Sequence, residues 1–104
     1  MSNVLENIPQ VGDGATVYVG SDRYPATVIA VEFFKTGKRV GQVREVAVRW
    51  DKATVIPSDK PWYDPEWDIQ PNPDGRVESY TVDAKGNIRG VGFGHRTKYR
   101  DPSF

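Results

Sequence analysis

Ten glycines and eight prolines punctuate a chain of 104 residues. Proline inside a helix costs about 3 kcal/mol and glycine about 1 kcal/mol relative to alanine, so breaks this frequent leave long helices little room. Between the breaks the segments are short, β-branched and alternating, which is the pattern of strands. The length fits one domain. The expectation is an all-β fold built as a small barrel over residues 11–104. Residues 1–10 precede it as a flexible N-terminal arm ending near Pro9.

The first expected strand is Ala15–Val19, followed by a turn through Gly20-Ser21-Asp22-Arg23-Tyr24-Pro25. The second, Ala26–Phe34, sets Thr27, Ile29, Val31 and Phe33 on one face and Ala26, Val28 and Ala30 on the other. Lys35-Thr36-Gly37-Lys38-Arg39 makes a polar hairpin tip. A third strand, from about Gln42 to Trp50, points Val46, Val48 and Trp50 inward and Glu45 and Arg49 outward.

From Asp51 to Gly75 the rhythm breaks. Five prolines fall here, together with Trp62, Tyr63 and Trp67. Disordered linkers are poor in aromatics, so an ordered Pro/Trp-rich loop packed on the barrel is expected, with Ala53–Ile56 as an edge strand. A C-terminal β-hairpin follows: Val77–Val82, a turn at residues 83–87, then Ile88–Phe93. Asp64-Pro65-Glu66-Trp67 and Asp101-Pro102-Ser103-Phe104 share an Asp-Pro-x-aromatic pattern. Aspartate accepts a backbone N–H two residues on and proline pre-sets the turn, so both segments read as aromatic anchors.

Fourteen basic residues balance fourteen acidic ones. The balance is segmental: residues 1–34 carry −3, 35–52 carry +4, 53–84 carry −5 and 85–104 carry +4. A uniformly basic nucleic-acid binder is excluded, while a local anionic site is not. There is no cysteine, hence no disulfide, thiolate nucleophile or cysteine-based metal site. His95 is the only histidine, and no serine stands in a nucleophile-elbow spacing. Asp64, Glu66 and Asp68 alternate like the first ligands of a calcium loop, but Ile69 and Gly75 stand where the turn glycine and the bidentate glutamate are needed. The expectation is a non-catalytic protein without cofactor or metal. The first ten residues lack a basic and apolar leader, and no apolar run reaches membrane-spanning length, so a cytoplasmic protein without membrane contact is expected.

Val11-Gly12-Asp13-Gly14-Ala15-Thr16-Val17-Tyr18-Val19, Tyr24-Pro25-Ala26-Thr27-Val28-Ile29-Ala30-Val31 and Val46-Ala47-Val48-Arg49-Trp50-Asp51 resemble the strands of small SH3-like barrels of the Tudor and KOW type. The resemblance covers residues 11–51 and implies an SH3-like barrel. Tudor domains that read methylated side chains hold them in aromatic cages by cation–π attraction. Carried over by position, Tyr24 and Trp50 match aromatic sites, with Tyr18 nearby. Lys52 stands where those domains continue with an aromatic, and a cation at that rim implies repulsion of a methylammonium. The whole chain is also similar to short phage and prophage proteins through Asp51-Lys52-Ala53-Thr54, Asn72-Pro73-Asp74-Gly75 and the terminal Tyr99-x-Asp101-Pro102-Ser103-Phe104. That similarity implies a virus-encoded accessory protein, with counter-defence as its class of role.

Three binding readings follow. In the first, a small anionic ligand such as a nucleotide meets Tyr24, Trp50, Lys52, His95, Arg96, Lys98 and Arg100. A small barrel has few cavities, so such a site is expected between subunits of a homo-oligomer. In the second, a protein partner docks on Trp62 and Trp67 or adds a strand at a sheet edge. The third and weakest is a nucleic-acid-binding module, since phosphate recognition needs cations and base recognition adds stacking.

Overall fold

The computed structural model describes residues 2–4, 8–57, 59, 65–96 and 98. Nine strands lie among them: β1 (Ser2–Val4), β2 (Gly14–Val19), β3 (Asp22–Phe33), β4 (Val43–Trp50), β5 (Lys52–Ile56), β6 (Glu66–Gln70), β7 (Val77–Thr81), β8 (Asn87–Arg89) and β9 (Val91–Phe93). Every pairing is antiparallel, and the fold is all-β. Among the described residues no helix is long and apolar enough to cross a membrane.

Five strands form the main sheet, in the order β7-β4-β3-β2-β9. The sheet curls: Gly90, next to edge strand β9, lies so close to Tyr80 of the opposite edge strand β7 that a Cβ on it would sit 3.4 Å from the tyrosine Cε1. No ladder joins β7 to β9 among the described residues, so the curl does not close into a barrel. Ala15, Val17, Ala26, Val28, Val43, Val46, Val48, Val82, Ile88 and Val91 fill the inside of the curl. Most are β-branched, which suits a pleated surface packed against itself.

Along β3, Ala26 and Val28 turn to the core, with Pro25 buried on the other face, and beyond Val28 the pattern breaks. A bulge between Val28 and Ala30 gives β3 one extra residue against β4. The parity then reverses, so Val28 is fully buried and Val31, three residues on, also packs against the core. This corrects the expectation that Thr27, Ile29, Val31 and Phe33 share one face throughout.

Two further expectations are corrected. Val77–Val82 and Ile88–Phe93 do not form a hairpin with each other. Residues 83–87 do turn, closed by the Asp83 amide donating to the Asn87 carbonyl at 2.9 Å. Beyond the turn, however, β7 pairs with β4, β8 with β1 and β9 with β2. Ser2–Val4, expected within a loose arm, are the strand that pairs with β8.

The segment expected as a loop is in part a second ribbon. β5 and β6 pair with each other, from Lys52 opposite Gln70 to Ile56 opposite Glu66. Val55 and Ile56 stay exposed, and the ribbon's main packing is internal. The molecule is long, with extents of 55 × 27 × 19 Å. The radius of gyration, 15.3 Å, exceeds the roughly 13 Å of a compact domain of this length. Trp62 and the Asp-Pro-x-aromatic segment at 101–104 lie outside the described residues; of the other such segment, Pro65 to Trp67 are described.

Candidate functional site

The concentration of aromatic and charged groups lies where the core face of the sheet runs out to solvent. Tyr24, Ala26 and Val28 alternate onto that face from β3, and Trp50 and Val48 from β4, with Ala26 opposite Trp50. Tyr24 and Trp50 are therefore diagonal neighbours across the two strands, close enough for their rings to meet. The rings stack with centroids 4.7 Å apart and planes inclined by 21°. Both are half-buried. On the far side of the pair, the Arg76 guanidinium lies over Trp50, 5.5 Å from its centroid, and is held by Glu78 at 2.7 Å.

The second face of Tyr24 carries a cation. Lys98 Nζ lies 3.9 Å from the Tyr24 centroid, a space that a ring stacked at 4.7 Å leaves only on the side away from Trp50. The same ammonium lies over Trp67 of β6, 5.3 Å from that centroid. Tyr24 and Trp67 thus form the two walls of an aromatic slot, Trp50 backs one wall, and the ammonium of Lys98 fills the gap. A cation over an aromatic face is attracted by the ring quadrupole, and more strongly where water is partly excluded. The slot is also the junction between the sheet, which supplies Tyr24 and Trp50, and the ribbon, which supplies Trp67.

Lys98 reaches the slot because the chain before it is pinned to the outer face of the sheet. The Gly94 amide donates to the Gly14 carbonyl at 3.0 Å. Fully buried Thr16 donates through Oγ1 to the His95 carbonyl at 2.9 Å. Arg96 Nε lies 3.1 Å from Asp51 Oδ2, and the Asp51 side chain is only 1% exposed. Thr27 Oγ1 donates to the other carboxylate oxygen at 2.7 Å. Oδ2 receives no well-angled hydrogen bond, so the Arg96 contact is charge on charge. Arg96 Nη2 also approaches the Gly12 carbonyl at 3.4 Å.

The residues singled out from the sequence divide accordingly. Tyr24, Trp50, Trp67 and Lys98 come together in one place, and Arg96 stands beside them on Asp51. His95 is exposed at the same segment. Lys52 is exposed on β5, paired in register with Gln70. Tyr18 faces another neighbourhood, with the Arg23 guanidinium 5.7 Å from its ring. Arg100 and Trp62 lie outside the described residues. Sequence reasoning missed Asp51. Its signal was an aspartate directly after the inward tryptophan of a strand, a place where a charge needs a partner once buried.

A second feature lies at the other end of β3. Val31, Glu32, Phe33, Phe34, Lys35, Thr36 and Arg44 line an open cleft of about 600 Å³. Arg44 pairs with Glu32 there. Beside the cleft, the Arg39 guanidinium covers Phe34 at 4.5 Å and donates to the Asp83 carbonyl at 2.7 Å. Among the described residues no group of three or more potential metal ligands converges. Comparison of the chain with protein-family models, curated proteins and solved structures returns no match.

Proposed function

We propose that the protein is a non-catalytic interaction module whose Tyr24–Trp67 slot takes a cationic group presented by a partner protein, such as a methylated lysine. The observation that carries this reading is the ammonium already lodged there, 3.9 Å from one ring and 5.3 Å from the other. A methylammonium suits the slot better than a bare ammonium, because it is less strongly hydrated and keeps the same attraction to the rings. Lys52, the residue whose charge would oppose such a ligand, is exposed on β5. The curled sheet with its end-on aromatic pair fits an open version of the SH3-like barrel that residues 11–51 resemble. The likeness to phage proteins gives a virus-encoded accessory protein as its setting.

Tetramethylammonium is the simplest probe. It should quench tryptophan fluorescence saturably in the intact protein, and Trp67→Ala and Tyr24→Ala should each abolish saturation. A neutral tert-butyl alcohol of similar shape should have no such effect. Equal quenching by the neutral compound, or saturation that survives both substitutions, refutes the slot as a cation site.

The anionic-ligand reading is favoured by a different place, the cleft in which Phe33 and Phe34 adjoin Lys35 and Arg44. A nucleotide there would shift amide resonances of residues 31–36 with a strong dependence on salt. Unmoved resonances at low salt would remove that reading.

A further inference from the structure

The ribbon has two unlike faces and a free edge. Its register pairs Ala53 with Ile69 and Val55 with Trp67, so these apolar side chains share one face. Lys52 with Gln70, Thr54 with Asp68 and Ile56 with Glu66 make up the other. Val55 is nonetheless 51% exposed. Two strands alone are marginal in water, and three or more with an apolar face are needed for stability. β5 pairs with β6 on one side only, and among the described residues no backbone hydrogen bond reaches Lys52–Ile56 from outside the ribbon. The outward amides and carbonyls of β5 are therefore open to another strand. The chain on either side limits where that strand can lie. The Asp51 amide is already donated to the Pro25 carbonyl, and Pro57 has no amide to donate. The window left for pairing is Lys52–Ile56, whose midpoint is Thr54.

We propose that β5 pairs antiparallel with β5 of a second copy of this chain, about a twofold axis at Thr54, and joins two ribbons into one four-stranded sheet. In that register Thr54 meets the partner's Thr54, Lys52 meets the partner's Ile56, and Val55 meets the partner's Ala53. No like charges are opposed, and a threonine pair across two strands is favourable. The apolar face gains a continuous row that runs Trp67, Val55, the partner's Ala53, the partner's Ile69, and the twofold repeats it. The same operation on β6 centres on Asp68 and sets carboxylate against carboxylate, so charge selects β5. β6 is then left at both rims of the joined sheet, where Glu66 and Asp68 discourage a further copy. A twofold contact of this kind closes at the dimer, whereas stacking β5 of one copy on β6 of the next continues without end. One strand pair buries less than a standard interface, so the dimer forms as concentration rises. It needs no cationic ligand and stands apart from the slot reading.

Sedimentation equilibrium of the full chain, from micromolar to millimolar concentration, should show a monomer passing into a dimer and no further. A monomer throughout overturns the proposal, and growth beyond the dimer overturns the twofold in favour of head-to-tail stacking. Thr54→Lys tests the register. Within one ribbon the new lysine stands opposite Asp68, a favourable pair, whereas across the twofold it stands opposite its own copy. The substitution should weaken the dimer about tenfold, through the lost threonine pair and the opposed charges. Mixing Thr54→Lys with Thr54→Glu should restore association, because the charges facing across the axis are then opposite. A Thr54→Lys dimer as strong as the parent's, or a mixture that stays monomeric, overturns pairing about Thr54. Hydrogen exchange on the unaltered protein gives a readout that does not depend on a variant folding. Amides within Lys52–Ile56 should exchange more slowly as concentration rises over the same range. Concentration-dependent protection found elsewhere but absent from Lys52–Ile56 places the contact on another surface and overturns the proposal.

Discussion

Single side chains set the local conformation at several points of this fold. Asp83 Oδ1 accepts the amides of Lys85 and Asn87, each at 2.9 Å, and so shapes the turn that carries the chain from β7 to β8. Those bonds, the Asn87 amide foremost, favour the ionised form and hold the Asp83 carboxyl below its ordinary value of 3.8. A folded-state pKa below the unfolded one means stability that is present above the unfolded pKa and is lost as pH falls through the folded one. Asp83→Ala should therefore lower the melting temperature at neutral pH, and the gap to the parent should shrink as pH drops below about 4. A gap that stays constant to pH 2 would show that the charge has no part in it. Tyr80 shows the opposite shift. Burial, reinforced by the Glu78 carboxylate that accepts its hydroxyl at 2.6 Å, pushes the phenol above its ordinary range. It is a neutral donor at any physiological pH, and its ring is free to act as the wall against Gly90.

At the scale of strands, what was legible in the sequence was whatever local chemistry decides. Val46 and Val48 face inward on β4 because alternation and β-branching dictate it, and both are fully buried. The turn at 83–87 stands where Asp83 and Gly86 place it. Pairing partners were not legible. Ile88 and Val91 read as one continuous strand, but Gly90 adopts φ +83° and splits it, sending β8 to β1 and β9 to β2. The bulge after Val28 is equally silent, because no glycine marks it. The 72–75 turn shows how closely an element can be fitted to its neighbour. Asn72 Oδ1 accepts the Asp74 amide, the Asn72 carbonyl accepts the Gly75 amide, and Gly75 lies against the end of β4. A Cβ on Gly75 would fall 2.0 Å from the Trp50 carbonyl oxygen, a clash with backbone that no rotamer relieves. Gly75→Ala should destabilise the protein by about 1–3 kcal/mol, the usual penalty of overpacking, and should weaken cation binding by displacing Trp50. A variant as stable as the parent in urea would mean that the turn moves freely away from β4.

For the molecule as a whole, the even charge balance conceals a specific use of charge. Lys98, from a segment of net +4, lies against Tyr24 and Trp67, while Arg96 of the same segment meets the buried Asp51. The C-terminal segment thereby ties the outer face of the sheet to the ribbon. Tyr24 and Trp50 were singled out through the resemblance to Tudor-type barrels, with Tyr24 read as part of a turn; β3 in fact starts at Asp22 and brings the two rings together across β3 and β4. Lys98 was singled out for its charge, but its destination depends on contacts across the whole chain, from Gly14 to Asp51 to Trp67. The measurement that tests this arrangement most directly is the proton chemical shift of the Lys98 Cε methylene. A methylene between two ring faces resonates well upfield of exposed lysines, and Trp67→Ala should move it back toward them. A Lys98 signal at the ordinary lysine position in the intact protein would contradict the slot.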